Sequence, residues 1–151
     1  MQIQPKSEIQ PARSLTILSV SPIDEDHLSL QTIVGHSKWQ LLKADRYFVG
    51  RKLLQEHDIS VVVCERDLMP GTWIDMLGDV RAMPNPPSLI VTSRLADDHL
   101  WAEALNLGAS DVLAKPFVRN EVTRSVKLGW ERWRNRAERV ANPVRVMSAA
   151  G

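Results

Sequence analysis

Apolar residues along this chain come in two alternating patterns: short, nearly continuous runs, and longer stretches in which every third or fourth residue is apolar. The runs are LTILSV at 15–20, WQLLKA at 39–44, ISVVVC at 59–64, LIVTS at 89–93 and DVLA at 111–114. Runs this short and this rich in branched residues suit strands of a parallel sheet covered on both faces. The second is more mixed than the others, which suits an edge. Between the runs, helical spacing is carried by Leu30, Ile33 and Val34, then by Val49 and Leu53 within 46–57, then by Ile74, Leu77 and Val80. It returns at Leu100, Ala104 and Leu107, and finally at Val118, Val122, Val126, Trp130, Trp133 and Ala137.

Turn chemistry punctuates these segments. Ser21-Pro22 ends the first strand, because proline cannot continue a central ladder. Asp24 is placed to cap the helix that follows, with Glu25 and Asp26 near its positive end. Pro70-Gly71 and MPNPP at 83–87 mark further turns. Asp97 and Asp98 open the fourth helix, and Gly108 is placed to stop it. Gly129 weakens the last pattern, since glycine costs a helix about 1 kcal/mol relative to alanine.

Five strand–helix units in strict succession predict an α/β fold of the flavodoxin-like (βα)5 type, a doubly wound parallel five-stranded sheet in the order 2-1-3-4-5. Residues 1–13, with two prolines and no period, read as a flexible tail. Residues 14–130 form the domain, and 131–151 extend the last helix into a carboxyl-terminal tail. A helix over 118–140 would span about 34 Å at about 1.5 Å per residue, longer than one face of so small a domain requires. Trp130 and Trp133 near its outer end are candidates for an interaction surface, including a homodimer.

Composition narrows the class. With 151 residues and 44% apolar content, one domain can build a core without staples. The single cysteine, Cys64, cannot form an internal disulfide and reads as a small core residue in a reducing compartment. No window reaches about 18 apolar residues and no signal-peptide core begins the chain, so a cytoplasmic protein without a membrane segment is expected. The formal charge of +1 hides a basic tail. Between 118 and 145 stand Arg119, Arg124, Lys127, Arg132, Arg134, Arg136, Arg139 and Arg145 against Glu121, Glu131 and Glu138. A solvated helix face accounts for this, and nucleic acid is not the expected partner.

Enzyme signatures are missing from the sequence. There is no glycine-rich phosphate loop and no nucleophile elbow, and His27, His36, His57 and His99 lack metal-ligand spacing. Each histidine reads as a surface or helix-end residue, and no enzymatic activity is expected. A flavodoxin-like small-ligand binder or enzyme is kept as an alternative.

In an open α/β sheet, ligands and chemistry sit outside the carboxyl ends of the strands. Three segments there stand out: VVVCERDLMPG at 61–71, the fourth strand ending in Thr92-Ser93, and GASDVLAKPF at 108–117. In order and spacing these resemble the receiver domains of two-component response regulators, the CheY-like superfamily, over roughly 15–130. The resemblance implies a cytoplasmic signalling module whose partners are a sensor histidine kinase or a downstream effector. In receivers, an aspartate ending the third strand accepts a phosphoryl group, an acidic pair ending the first holds Mg²⁺, and a hydroxyl and a lysine end the fourth and fifth. Thr92 matches the hydroxyl, and Lys115 matches the lysine, followed by Pro116 after what in receivers is a cis bond.

The departures lie at the acids. Ser21 and Pro22 stand where the acidic pair belongs, and neither offers the anionic oxygen Mg²⁺ prefers. Asp24 and Glu25, with Asp26 beside them at the helix start, are the substitute metal ligands, if any metal is held. Glu65 takes the phosphoacceptor position by strand end, although counting back from Pro70 lands on Arg66; Asp67 is the alternative acceptor. Val112 replaces the usual aromatic, and Phe117 reads as packing. The expectation is an atypical, pseudo-receiver interaction module with no cofactor, its charge supplied by Glu65 near Lys115. The alternative is a working phosphoacceptor using Glu65 or Asp67 with Mg²⁺.

Overall fold

A computed structural model describes residues 15–141; the tail expected at 1–13 and the end of the chain from 142 lie outside the described residues. The elements alternate without exception: β1 Thr16–Val20, α1 Asp24–Val34, β2 Gln40–Ala44, α2 Tyr47–Glu56, β3 Val61–Glu65, α3 Trp73–Arg81, β4 Ser88–Ser93, α4 Asp98–Leu107, β5 Asp111–Ala114 and α5 Arg119–Ala141. All strand pairings are parallel, in the order β2-β1-β3-β4-β5. The expected doubly wound sheet is therefore the observed one. No helix among the described residues is long and apolar enough to cross a membrane.

Period-two alternation splits each strand between two cores. Leu18, Val20, Val62, Cys64, Leu89 and Val91 face one layer, built with α2, α3 and α4. Ile17, Val61, Val63 and Ile90 face the other, closed by Leu30 and Val34 of α1 and by Val122 and Val126 of α5. Being covered on both sides explains why the central strands read as unbroken apolar runs. Cys64 is fully enclosed at the sheet's centre, paired in register with Val20 on one side and Val91 on the other. Burial pushes its thiol pKa up.

Several helical faces differ from the sequence expectation. Asp24 is the first residue of α1 and does not cap it; Ile23 occupies the cap position, its N–H bonded to Ser21 Oγ at 3.0 Å. In α2 the inward residues are Gly50 and Leu54, whereas Val49 is largely exposed. A Cβ at the inward Gly50 would stand 3.1 Å from both Val20 and Met76, so any larger residue would make these neighbours shift, and glycine eases the approach of α2 to β1. Trp73, not Ile74, leads the buried face of α3, and Leu107 of α4 is exposed. Thr72 and Asp75 form a capping box at the start of α3. Asp97 caps α4, and Gly108 ends it in the left-handed conformation at φ 107°.

α5 runs unbroken through Gly129 for 23 residues. That glycine sits at a close helix–sheet approach: a Cβ there would lie 3.2 Å from Ser88 Cβ, and Ser88 Oγ donates to the Gly129 carbonyl at 2.7 Å. The residue that looked like a weak point of the helix is what lets it lie against β4.

Candidate functional site

Strand register brings the site residues together. Glu65 pairs with Thr92, Val20 with Cys64, and Ser93 with Ala114, so Ser21, Glu65, Thr92 and Lys115 meet at adjacent strand exits. Glu65 is the last residue of β3 and is buried. Glu65, and neither Arg66 nor Asp67, is thus the residue at the strand exit. Arg66 turns outward and pairs with Asp67 at 3.1 Å, and the Asp67 carboxylate is 65% exposed, away from the pocket.

Lys115 joins the acids. Its ammonium donates to Glu65 Oε1 at 2.6 Å and to Asp26 Oδ2 at 2.9 Å, and all three side chains are less than a tenth exposed. Burial alone would disfavour the ammonium, but the bonds to Glu65 and Asp26 outweigh it and hold the lysine pKa above its ordinary value. Thr92 Oγ1 donates a long bond, 3.4 Å, to the same Glu65 oxygen. Ser21 Oγ donates to Asp26 Oδ2 at 2.6 Å. Lys115-Pro116 is a cis peptide, and Phe117 packs half-buried against the α1–α5 core.

Asp26 reads from the sequence, with Asp24 and Glu25, as a helix-dipole partner or a stand-in for the missing acidic pair, yet only Asp24 and Glu25 are exposed and Asp26 is buried. The signal was present in the spacing: Asp26, His27, Leu30 and Val34 share one helical stripe, and that stripe faces inward. His27, expected at the surface, is buried behind the site. Its Nε2 donates to the Ser21 carbonyl at 2.9 Å, and its Nδ1 is hydrogen-bonded to the Ser19 hydroxyl at 2.8 Å. One hydrogen-bonded chain thus runs from Ser19 through His27, Ser21, Asp26 and Lys115 to Glu65 and Thr92.

The anionic oxygens of the site are already partly engaged. One oxygen of Asp26 and one of Glu65 are already bonded to an ammonium, and Ser21 and Pro22 supply no further anion. Among the described residues, no group of three or more His, Cys, Asp or Glu side chains is placed to hold a metal ion.

The tryptophans proposed as an interaction surface are mostly turned inward. Trp133 is 3% exposed, and Trp130 is half-buried against the α1–α5 core with the Arg134 guanidinium 4.6 Å above its ring. Both rings belong to the packing of the chain itself. Arg132 and Arg136, from the basic run beside them, donate to the Ser110 and Pro86 carbonyls and so tie α5 to loops at the other end of the sheet.

No family model and no curated protein matches this sequence. Solved structures do. The signal receiver domain of an HD domain-containing protein from Pseudomonas fluorescens Pf-5 superposes with a TM-score of 0.77 at 21% identity, covering 84% of this chain and 94% of that one. A receiver domain of a putative Luxo repressor protein from Vibrio parahaemolyticus gives 0.76 at 16% identity, over 85% and 98%. The receiver domain of a sensor histidine kinase from Pseudomonas aeruginosa PAO1, solved with a magnesium ion coordinated in its active site cleft, gives 0.69 at 17% identity, over 78% and 98%. This chain has the fold of the CheY-like receiver domains of response regulators.

Proposed function

We propose that this chain is a receiver-type module of two-component signalling that works through protein interaction, without phosphorylation and without enzymatic activity. The observation that carries the proposal is the Lys115 ammonium bonded to both Asp26 and Glu65. In a phosphorylated receiver the lysine answers the added phosphoryl charge. Here the charges facing it are two carboxylates of the chain, about −2 together, close to the charge a phosphoryl group brings at neutral pH. Glu65 supplies one and Asp26, from α1, the other. The lysine is thereby held at the third strand's exit, with Thr92 bonded to the same Glu65 oxygen. The partner on this reading is another signalling protein, a sensor histidine kinase or a downstream effector, that recognises a fixed surface.

Support against a phosphoacceptor comes from the two candidate residues. One Glu65 oxygen is taken by Lys115 and Thr92; Asp67 is exposed and paired with its neighbour Arg66. The test is intact mass spectrometry after incubation with Mg²⁺ and acetyl phosphate. No phosphoryl adduct is expected. Robust labelling that disappears in Glu65→Gln or Asp67→Ala would overturn the proposal.

A further inference from the structure

Beside the buried lysine lies an open cavity of about 420 Å³ between the start of α1 and the exits of β4 and β5. A cleft at this place follows from the doubly wound topology itself. The distribution of charge within it does not. Its α1 wall carries Glu25 and Asp26, the wall formed by the exits of β4 and β5 carries Arg94 and Lys115, and Phe117 adds an apolar surface. Asp26 is already bonded to Lys115 and Ser21, whereas Glu25 and Arg94 form no ion pair or side-chain hydrogen bond among the described residues. Two exposed groups of opposite sign therefore line one cavity without neutralising each other. Lys115 has two of its three ammonium N–H groups on carboxylates, leaving one donor.

Charge bookkeeping sharpens the ligand class. Glu25 and Asp26 stand against Arg94 and Lys115, two acids and two bases, so the lining carries no net formal charge at neutral pH. A simple anion would leave Glu25 without a partner, and a simple cation would leave Arg94 without one. A molecule carrying both an ammonium and a carboxylate answers both walls. The volume lies in the lower part of the range for small-molecule sites, roughly 300–1,000 Å³, which suits a ligand of few heavy atoms.

We infer that this cavity binds a small zwitterion of the α-amino acid class, its carboxylate on Arg94 and its ammonium on Glu25. Occupancy would bridge α1 to the loop after β4, next to the Asp26–Lys115–Glu65 cluster, so the ligand would act on the same surface that partners read. The inference stands whether or not the chain is ever phosphorylated.

Isothermal titration of the full chain with the proteinogenic amino acids, putrescine and inorganic phosphate tests it. At least one amino acid is expected to bind saturably, and Arg94→Ala and Glu25→Gln, both at exposed positions, are each expected to weaken it about tenfold or more. Lys43→Ala is expected to leave it unchanged, because Lys43 lines a separate cavity between α1 and α2. Thermal unfolding of each variant confirms that it is folded. The inference is overturned if no amino acid saturates by about 10 mM, if phosphate or putrescine alone binds as tightly as the best amino acid, or if both folded rim variants bind like the parent chain.

Discussion

Lys115 is the residue on which the site's charge balance turns. Removing one member of a buried ionic cluster strands the others, at a typical cost of about 3–5 kcal/mol. Lys115→Met is expected to destabilise by that order, because Asp26 and Glu65 would then face each other without a cation. The loss is read as a lowered urea midpoint at neutral pH relative to the parent chain. The parent chain has its own signature at high pH. The lysine pKa is raised above 10.5 in the folded state, so its contribution is complete below 10.5 and is lost as pH climbs through the folded value. Tyr47 adds to the same decline: burial first, and then its bond to Asp79, push its pKa up to about 12. Urea midpoints across this range, with Tyr47→Phe to remove the phenol, separate the two contributions. Of the site, Glu65, Thr92 and Lys115 were legible in the sequence, because each ends a strand and parallel register sets strand ends side by side. The roles of Asp26 and His27 in the cluster were not legible: an acid at a helix start has a sufficient local explanation in the helix dipole or as a stand-in metal ligand, and a histidine there reads as a surface or helix-end residue. Only the tertiary placement of α1 shows that its third and fourth residues point inward.

At the scale of elements, α5 differs most from its expectation. It has the length foreseen, but the stretch read as a candidate interaction surface is packed: Trp133 is buried, and Arg136 reaches the Pro86 carbonyl and Ser88 Oγ. Ending the chain after Leu128 would remove Trp130, Trp133 and those contacts together. Such a truncation is expected to lose at least the roughly 3–5 kcal/mol typical of deleting one large buried aromatic, read as a lowered thermal midpoint by circular dichroism. A truncated chain that melts like the parent would show that this packing contributes little. All ten elements were legible, since runs and periods of this length are strong local signals. Which face of each helix is buried was less so. Hydrophobicity points to Val49 in α2, whereas close approach selects Gly50, a residue with no side chain to register in an apolar pattern. In α5 the same blindness made Gly129 look like an interruption when it is the contact with β4.

At the scale of the whole molecule, two cores share one sheet, and the central strands β1, β3 and β4 contribute to both. Neither layer can loosen without disturbing the strand exits that assemble the site. The chain's one cysteine lies at the middle of that sheet, one residue before Glu65. It gives the protein a built-in reporter of opening. A thiol that is fully enclosed and held in its protonated form reacts with a disulfide reagent only from molecules whose sheet has parted. Its labelling rate therefore counts excursions of the central strands. Modification of Cys64 by a chromogenic disulfide is expected to be far slower than for a free thiol, and to accelerate with urea in step with global unfolding. Rapid labelling in the absence of denaturant would instead mean that β3 parts from its neighbours while the rest of the molecule stays folded, and that the surface offered to partners is renewed at the same pace.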